Sequence, residues 1–269
     1  MSASIRITGA TRLYAIVGDP IAQVRSPEVF SVRFADAGLD AVLVPWHVPS
    51  ARFDAIVPAL LALGNLDGVL VTVPFKARMA AFASRLGATA ECIGAVNALR
   101  READSSWTGD MFDGMGFVRG AERKGERIRG RRVALFGAGG AGSAIACALA
   151  EAGVESIEVI DVDRPKAEAL VRRLKDAFPR CAWATASGVR GGIDMIVNAS
   201  PVGMRPGDGL PGEMPPLDAG GLVGDVVIAD APTPIIRYAM RSGCRWVDGR
   251  DMHGGQVEAI TAFFAAARP

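Results

Sequence analysis

Val133-Ala134-Leu135-Phe136-Gly137-Ala138-Gly139-Gly140-Ala141-Gly142 carries an apolar run straight into Gly-x-Gly-x-x-Gly. Helix-forming residues follow from Ser143 to Glu151, and a second apolar run, Ile157 to Ile160, ends on Asp161. In a strand–turn–helix unit each glycine serves a separate purpose. Gly137 allows the tight turn, Gly139 the approach of a pyrophosphate, and Gly142 the close packing of helix on strand. The helix start offers free N–H groups and a positive dipole end to phosphates. Asp161 lies 24 residues beyond Gly137, near the spacing of about 20 at which an acid bonds ribose hydroxyls. The glycines alone fit a turn without a ligand. The strand–helix–strand–acid context favours a dinucleotide site made of Gly137, Ala138, Gly139, Gly140, Ala141, Gly142 and Asp161. A membrane span is the other reading of the uncharged stretch Val133 to Ala150, and its glycines and the helix-ending Gly153 oppose it.

Working outward, 269 residues allow one large domain or two of ordinary size. Half of them are hydrophobic, enough for a sizeable core, and the net charge is +1 with both signs interspersed. That leaves no basic stripe for nucleic acid and no acidic tail. The first ten residues lack the apolar region of a signal peptide. Cys92, Cys147, Cys181 and Cys244 are scattered without a Cys-x-x-Cys pair, which reads as buried free thiols in a reducing, cytoplasmic compartment. With His47 and His253 the only histidines, no metal site is expected.

Short apolar runs alternate with helical patterns. Leu13 to Val17, Val42 to Val44 and Gly68 to Val73 read as strands, the last stopped by Pro74. Ser26 reads as a helix cap with Pro27 at the first helical position, and Arg52 to Leu63 as a helix. Such alternation predicts a mostly parallel, helix-covered sheet. The charged, glycine-punctuated stretch Arg119 to Arg132 reads as a helix end and the connection between two domains. Beyond Asp161 come a helix (Arg164 to Ala177), a strand (Asp194 to Asn198) leading into Ala199 to Met204, and a Pro- and Gly-rich mobile loop (Arg205 to Pro216). Leu222 to Ile228 and Arg245 to Val247 read as strands, Pro234 to Ser242 and Gln256 to Ala267 as helices.

Further segments stand out in order: Gly18-Asp19-Pro20-Ile21-Ala22 with Ser26-Pro27; Val71-Thr72-Val73-Pro74-Phe75-Lys76; Gly94-Ala95-Val96-Asn97; Asp113-Gly114; Asn198 to Met204; Asp225-Val226-Val227 with Thr233-Pro234; and Asp248-Gly249 to Gln256. With the glycine motif, this order resembles the shikimate/quinate dehydrogenase superfamily from about Tyr14 to Phe264. The resemblance implies an α/β protein of two domains with the reaction in the cleft between them. Residues 1–115 plus 247–269 form the substrate domain, completed by the C-terminal helix, and residues 116–246 the Rossmann nucleotide domain. It implies Lys76 and Asp113 as the catalytic pair, Ser26, Thr72, Asn97 and Gln256 as substrate contacts, and Asn198, Ser200, Val202 and Met204 as cofactor contacts. It also implies a place in aromatic amino acid biosynthesis. On residue type alone Lys76 reads rather as a solvated lysine after Pro74, and Asp113 as a helix cap before Gly114; the family order turns both toward the catalytic role. Oxidising a secondary alcohol needs a hydride acceptor and a group that takes the hydroxyl proton, and a lysine beside a carboxylate suits the second role.

Some positions depart from the family pattern. Its Ser-x-Ser, whose hydroxyls hold the substrate carboxylate, is Val24-Arg25-Ser26 here; its Asn-Thr-Asp-Gly is Met111-Phe112-Asp113-Gly114; its tyrosine after Asp-Val-Val is Ile228, followed by Ala229-Asp230 in place of Asn-Pro. One lost hydroxyl donor costs about 1–3 kcal/mol if its partner stays buried and unpaired. Arg25 offers either a bidentate grip or a solvent-facing side chain. The losses bear on the substrate, not on the reaction type, and mark a divergent shikimate dehydrogenase-like branch. Where NADP-using members commonly carry Asn-Arg-Thr, this chain has Asp161-Val162-Asp163, which favours NAD over NADP.

The expectation is an NAD-dependent oxidoreductase acting reversibly on a ring hydroxyl of shikimate, quinate or a close relative. Its ligand is a small polyhydroxy ring acid, with no nucleic acid or membrane partner, and the protein is a monomer or homodimer. The rival is a regulatory protein that senses such a ligand without turnover. Retention of Lys76 and Asp113 opposes it. A methylene-tetrahydrofolate dehydrogenase is a third reading, opposed by VTVPFK with GAVN.

Overall fold

The structure, a computed structural model, describes residues 7–215, 217, 218 and 220–266. They cluster into two compact units, residues 7–111 with 257–266 and residues 112–256.

The first unit holds β1 (Arg12–Gly18), α1 (Ser26–Asp36), β2 (Ala41–His47), α2 (Phe53–Leu61), β3 (Leu66–Val71), α3 (Lys76–Met79), β4 (Arg85–Leu86), α4 (Ala88–Ile93), β5 (Ala98–Arg101) and β6 (Trp107–Asp110). Its sheet runs β2-β1-β3-β5-β6-β4. β1 lies between β2 and β3 in parallel, and β4 pairs β6 in parallel, but β5 is antiparallel to both β3 and β6. The sheet is therefore mixed. A tight turn sets the β5–β6 pairing: Asp104 Oδ1 accepts the Ser106 N–H at 3.0 Å and Ser105 takes a φ of 66°, reversing the chain between the two strands. The start of α1 also differs from expectation. Arg25 occupies the cap without a side-chain hydrogen bond, and Ser26 already belongs to the helix. The core is aromatic: the Tyr14 ring lies 4.5 Å from that of Phe34 and 4.9 Å from that of Phe264, contacts that add to the large apolar area such rings bury.

The second unit holds α5 (Asp113–Arg123), β7 (Arg132–Phe136), α6 (Gly140–Glu151), β8 (Ser156–Ile160), α7 (Arg164–Ala177), β9 (Ala182–Thr185), β10 (Met195–Asn198), β11 (Leu222–Asp225), α8 (Pro234–Arg241), β12 (Arg245–Val247) and the start of α9 (Gly249–Ala265). Its sheet, β12-β11-β10-β7-β8-β9, is parallel at every pairing. Counted from β7, this is the 3-2-1-4-5-6 order of a Rossmann sheet. Every residue of β10 and β11 is buried, as in strands covered on both faces. The charged stretch 119–132, expected to join the domains, lies inside this unit; the chain enters the unit at Phe112 and leaves it after Gln256. The segment from Arg205 to Pro215 has no helix or strand. It is tied by Asp208 Oδ2, which accepts the N–H groups of Gly203 (2.8 Å) and Arg205 (3.0 Å), and by the Tyr238 hydroxyl, which donates to the Pro215 carbonyl at 2.5 Å. Pro216 and Ala267, included in the expected loop and terminal helix, lie outside the described residues. Among the described residues, no helix is long and apolar enough to cross a membrane.

Candidate active site

The glycine loop joins β7 to α6 where the strand order reverses, the position at which open parallel sheets bind ligands. Gly137 has φ +98°, and a Cβ there would stand 2.8 Å from the Ala199 carbonyl oxygen. A Cβ on Gly142 would stand 1.9 Å from the Gly137 carbonyl oxygen, so no larger residue fits. Gly139 is open: among the described residues, the Lys166 ammonium nitrogen, 3.9 Å away, is the only atom near its Cβ position. Gly139 caps α6, and the first helical bond runs from the Ser143 N–H to its carbonyl at 2.8 Å. The preceding N–H groups have no partner within the helix. Room beside Gly139 and a helix start fit a dinucleotide pyrophosphate, and the acid Asp161 fits its ribose hydroxyls.

Asn198 at the end of β10 shapes the next segment. Its Nδ2 donates to the Val202 carbonyl at 2.9 Å, and its Oδ1 accepts the Ser200 N–H at 3.1 Å and the Ser200 hydroxyl at 2.6 Å. Asn198 is fully buried, whereas Met204 at the end of the turn is exposed. Behind it stands Asp225, also fully buried, bonded to Asn198 Nδ2 at 2.9 Å and to the Thr233 hydroxyl at 2.5 Å. Burial, outweighing these hydrogen bonds, pushes the Asp225 carboxyl up to about 6. Residue type alone assigns Asp225 no role; its signal is an acid set within the apolar run Leu222 to Ile228, of which the strand keeps only Leu222–Asp225.

Asp113 is buried at the start of α5, and Gln256 is buried on α9. A carboxylate at a helix start lies at the positive end of the dipole. Gly114 brings this turn against α6, its Cβ position lying 2.0 Å from the Ala144 carbonyl oxygen. Gly116 meets α9, its Cβ position 2.8 Å from Gln256 Cβ. The second unit thus sets Asp113 beside the helix of the glycine loop and brings Gln256 against the same end of α5.

In the first unit, Thr72, Lys76 and Asn97 gather where β3 ends. The Thr72 N–H donates to the Val17 carbonyl at 3.0 Å, the Val71 N–H to the Asn97 carbonyl at 2.8 Å, and the Val96 N–H to the Lys76 carbonyl at 3.0 Å. Asn97 is buried; Thr72 and Lys76 are half-buried. Asp19 braces the same end of the sheet. Its N–H donates to the Val73 carbonyl at 2.9 Å, and its carboxylate meets His47 Nε2 at 2.9 Å and the Ser50 hydroxyl at 2.8 Å. His47 and then Ser50 pull its pKa down to about 2. Ser26 is buried at the start of α1. Arg25 is solvent-facing, paired with Glu28 at 2.6 Å. A lysine, a hydroxyl and an amide at one sheet end can bond a polyhydroxy ligand. Among the described residues, no group of three or more His, Cys, Asp or Glu side chains could hold a metal ion.

A Rossmann sheet with a glycine loop at its switch point and an acid after the second strand defines a dinucleotide-binding class of protein. Comparison with known proteins narrows this. The shikimate dehydrogenase substrate binding domain matches residues 16–99, and the ThiF family matches residues 115–184. The shikimate dehydrogenase (NADP(+)) of Rubrobacter xylanophilus is 37% identical over 254 residues, covering 92% of this chain and 88% of that one. Shikimate 5-dehydrogenase from Listeria monocytogenes, solved in complex with shikimate and NAD, superposes with a TM-score of 0.82 at 28% identity, covering 99% of this chain and 96% of that one. Quinate dehydrogenase from Corynebacterium glutamicum, in complex with NAD, gives 0.81 at 28% identity over 95% and 94% of the two chains. The chain belongs to the shikimate/quinate dehydrogenase superfamily and is an NAD(P)-dependent oxidoreductase acting on a CH–OH group.

Proposed function

We propose that this protein interconverts shikimate, or a close relative such as quinate, and its ring ketone, with NAD preferred over NADP. The observation that carries this reading is the Thr72–Lys76 segment at the carboxyl end of β3, bonded through its backbone to Val96 and Asn97, in a chain of this superfamily. In this reading, residues 1–115 with 247–269 bind the substrate and residues 116–246 the nucleotide.

The bound nicotinamide supplies the hydride chemistry. The protein's own part is placement and proton handling. On oxidation the reacting hydroxyl oxygen accepts a hydrogen bond from the Lys76 ammonium and gives its proton to the Asp113 carboxylate as the carbon loses hydride; reduction reverses both transfers. Thr72, Asn97, Gln256 and Ser26 bond the remaining hydroxyls and the carboxylate. The N–H groups of Gly139, Gly140, Ala141 and Gly142 meet the pyrophosphate, and the segment Asn198, Ser200, Val202, Met204 lines the cofactor. Retention of Lys76 and Asp113 supports turnover over ligand sensing, and the free cysteines suit a reducing compartment such as the cytoplasm.

For the nucleotide, Asp161 carries a negative charge at the loop, and the fully exposed Val162 stands where NADP-using members commonly place arginine. Arg164 is paired with Glu168 at 3.0 Å. These features support NAD, although the Rubrobacter relative is named for NADP(+). Assaying shikimate, quinate and their aminated and decarboxylated analogues with both nucleotides tests the whole reading. Absence of turnover across the panel would remove it.

A further inference from the structure

Asp225 ends β11 with no exposed surface. Its Oδ1 accepts from Asn198 Nδ2 at 2.9 Å and from the Val227 N–H at 3.2 Å, and its Oδ2 accepts from the Thr233 hydroxyl at 2.5 Å. The bonding continues from Asn198 to Ser200 and Val202, and the Ser200 hydroxyl in turn accepts the Val202 N–H at 3.2 Å. An unbroken path therefore links the end of β11 to the turn that follows β10.

The direction of each bond is dictated by chemistry. An asparagine amide presents a donor end and an acceptor end, whereas an ionised carboxylate only accepts. With Asp225 behind it, Asn198 must turn Nδ2 toward the carboxylate. Its Oδ1 then faces Ser200, whose N–H and hydroxyl it receives. The reversed amide would set oxygen against oxygen at the carboxylate. An apolar residue at 225 would fill β11 without the desolvation cost of a buried acid, a cost visible in the raised pKa of Asp225.

We propose that Asp225 is a positioning residue for the nucleotide, acting through Asn198, whose amide it orients, to hold the turn Ser200 to Met204 in the shape that meets the cofactor. This rests on the reading of that turn as a cofactor contact.

The test is titration of NADH and NADPH by protein fluorescence, with steady-state kinetics and thermal melting, on four variants. Asp225→Ala should raise the dinucleotide Kd about tenfold, the scale of one lost partner in a buried network, while the KM for the alcohol stays within about twofold. Asp225→Asn should restore near wild-type Kd: its amide oxygen still accepts from Asn198, and its nitrogen can donate to the Thr233 hydroxyl. If Asp225→Ala does not fold, Asp225→Ser, with one small acceptor in the same place, should shift Kd in the same direction. Gly203→Val, at a φ of +101°, distorts the turn directly and should also raise Kd. Gly203→Val without effect would remove the turn from the cofactor site and the inference with it. A Kd raised by Gly203→Val but unchanged in Asp225→Ala or Asp225→Ser would overturn the inference alone. So would Asp225→Asn weakening binding as much as Asp225→Ala, since charge rather than orientation would then be at work.

Discussion

Ala138 donates its N–H to Asp161 Oδ2 at 2.6 Å, so the acid that closes β8 also holds the glycine loop. Its other oxygen accepts the Asp163 N–H at 2.9 Å. A carboxylate has about four lone-pair sites, which leaves room for a ribose diol. A phosphate there instead meets a like charge, costing on the order of 4 kcal/mol at about 4 Å and an effective dielectric of about 20, softened by Lys166 close by. NAD should therefore bind more tightly than NADP, and Asp161→Ala should narrow the gap. Equilibrium titration with both nucleotides decides it; tighter NADP binding by the unmodified protein would show that Asp161 does not select.

Lys76 and Asp113 are the proposed proton-handling residues. Lys76→Ala and Asp113→Asn should each lower kcat by at least about 100-fold, the usual scale of general acid–base catalysis. Nucleotide affinity should hold, because neither residue belongs to the glycine loop. A Lys76→Ala enzyme with near wild-type kcat would refute the assignment.

The nucleotide unit was legible because its central strand, buried on both faces, writes the continuous apolar run Val133–Phe136 directly before the glycine loop, while β8 alternates buried Ile157 and Val159 around Glu158 and ends on Ile160, just before Asp161. The hairpin of β5 and β6 was not, since each strand has four residues and the turn at Asp104 and Ser105 carries the signal. The passage between units was hidden for a different reason. Met111 and Phe112 are buried, so the crossing reads as core, while the charged stretch after α5 mimics a linker. Of the site, the glycine loop and the Thr72–Lys76 segment were readable as local strings. Asn198 and Asp225 each stand in a readable segment, but their pairing spans 27 residues and is not written in either one.

Asp225 also makes a pH prediction. Its carboxyl is raised from 3.8 to about 6 in the folded protein, with burial the largest cause. Below about pH 4 both folded and unfolded chains hold the proton. As pH rises toward 6 the unfolded chain releases it first, so stability falls through this window and levels off above it. The cost is on the order of 3 kcal/mol. Asp225→Asn removes this contribution. Urea unfolding from pH 4 to 7 should show the stability of the variant relative to wild type rising with pH, then flattening above pH 6. A pH-independent difference would mean that the carboxyl titrates normally.

The last prediction concerns the carboxylate side of the substrate. Val24 stands two residues before Ser26, half-buried in the turn that leads into α1, with its N–H bonded to the Ile21 carbonyl at 3.2 Å. The family's first serine hydroxyl is missing there, and Arg25 is engaged with Glu28 rather than held in reserve. A carboxylate against an apolar wall is penalised by desolvation, so the KM for shikimate should be high relative to family members that keep both serines, with turnover still measurable. Val24→Ser should lower KM by roughly tenfold, within the range expected for a restored hydrogen bond to a charged group. It should change kcat little, because the contact is felt equally in the ground and transition states. Steady-state kinetics at saturating NAD separates the two parameters. An unchanged or raised KM in Val24→Ser would mean that the substrate carboxylate lies elsewhere, and that Ser26 is a structural residue of α1 rather than a ligand contact.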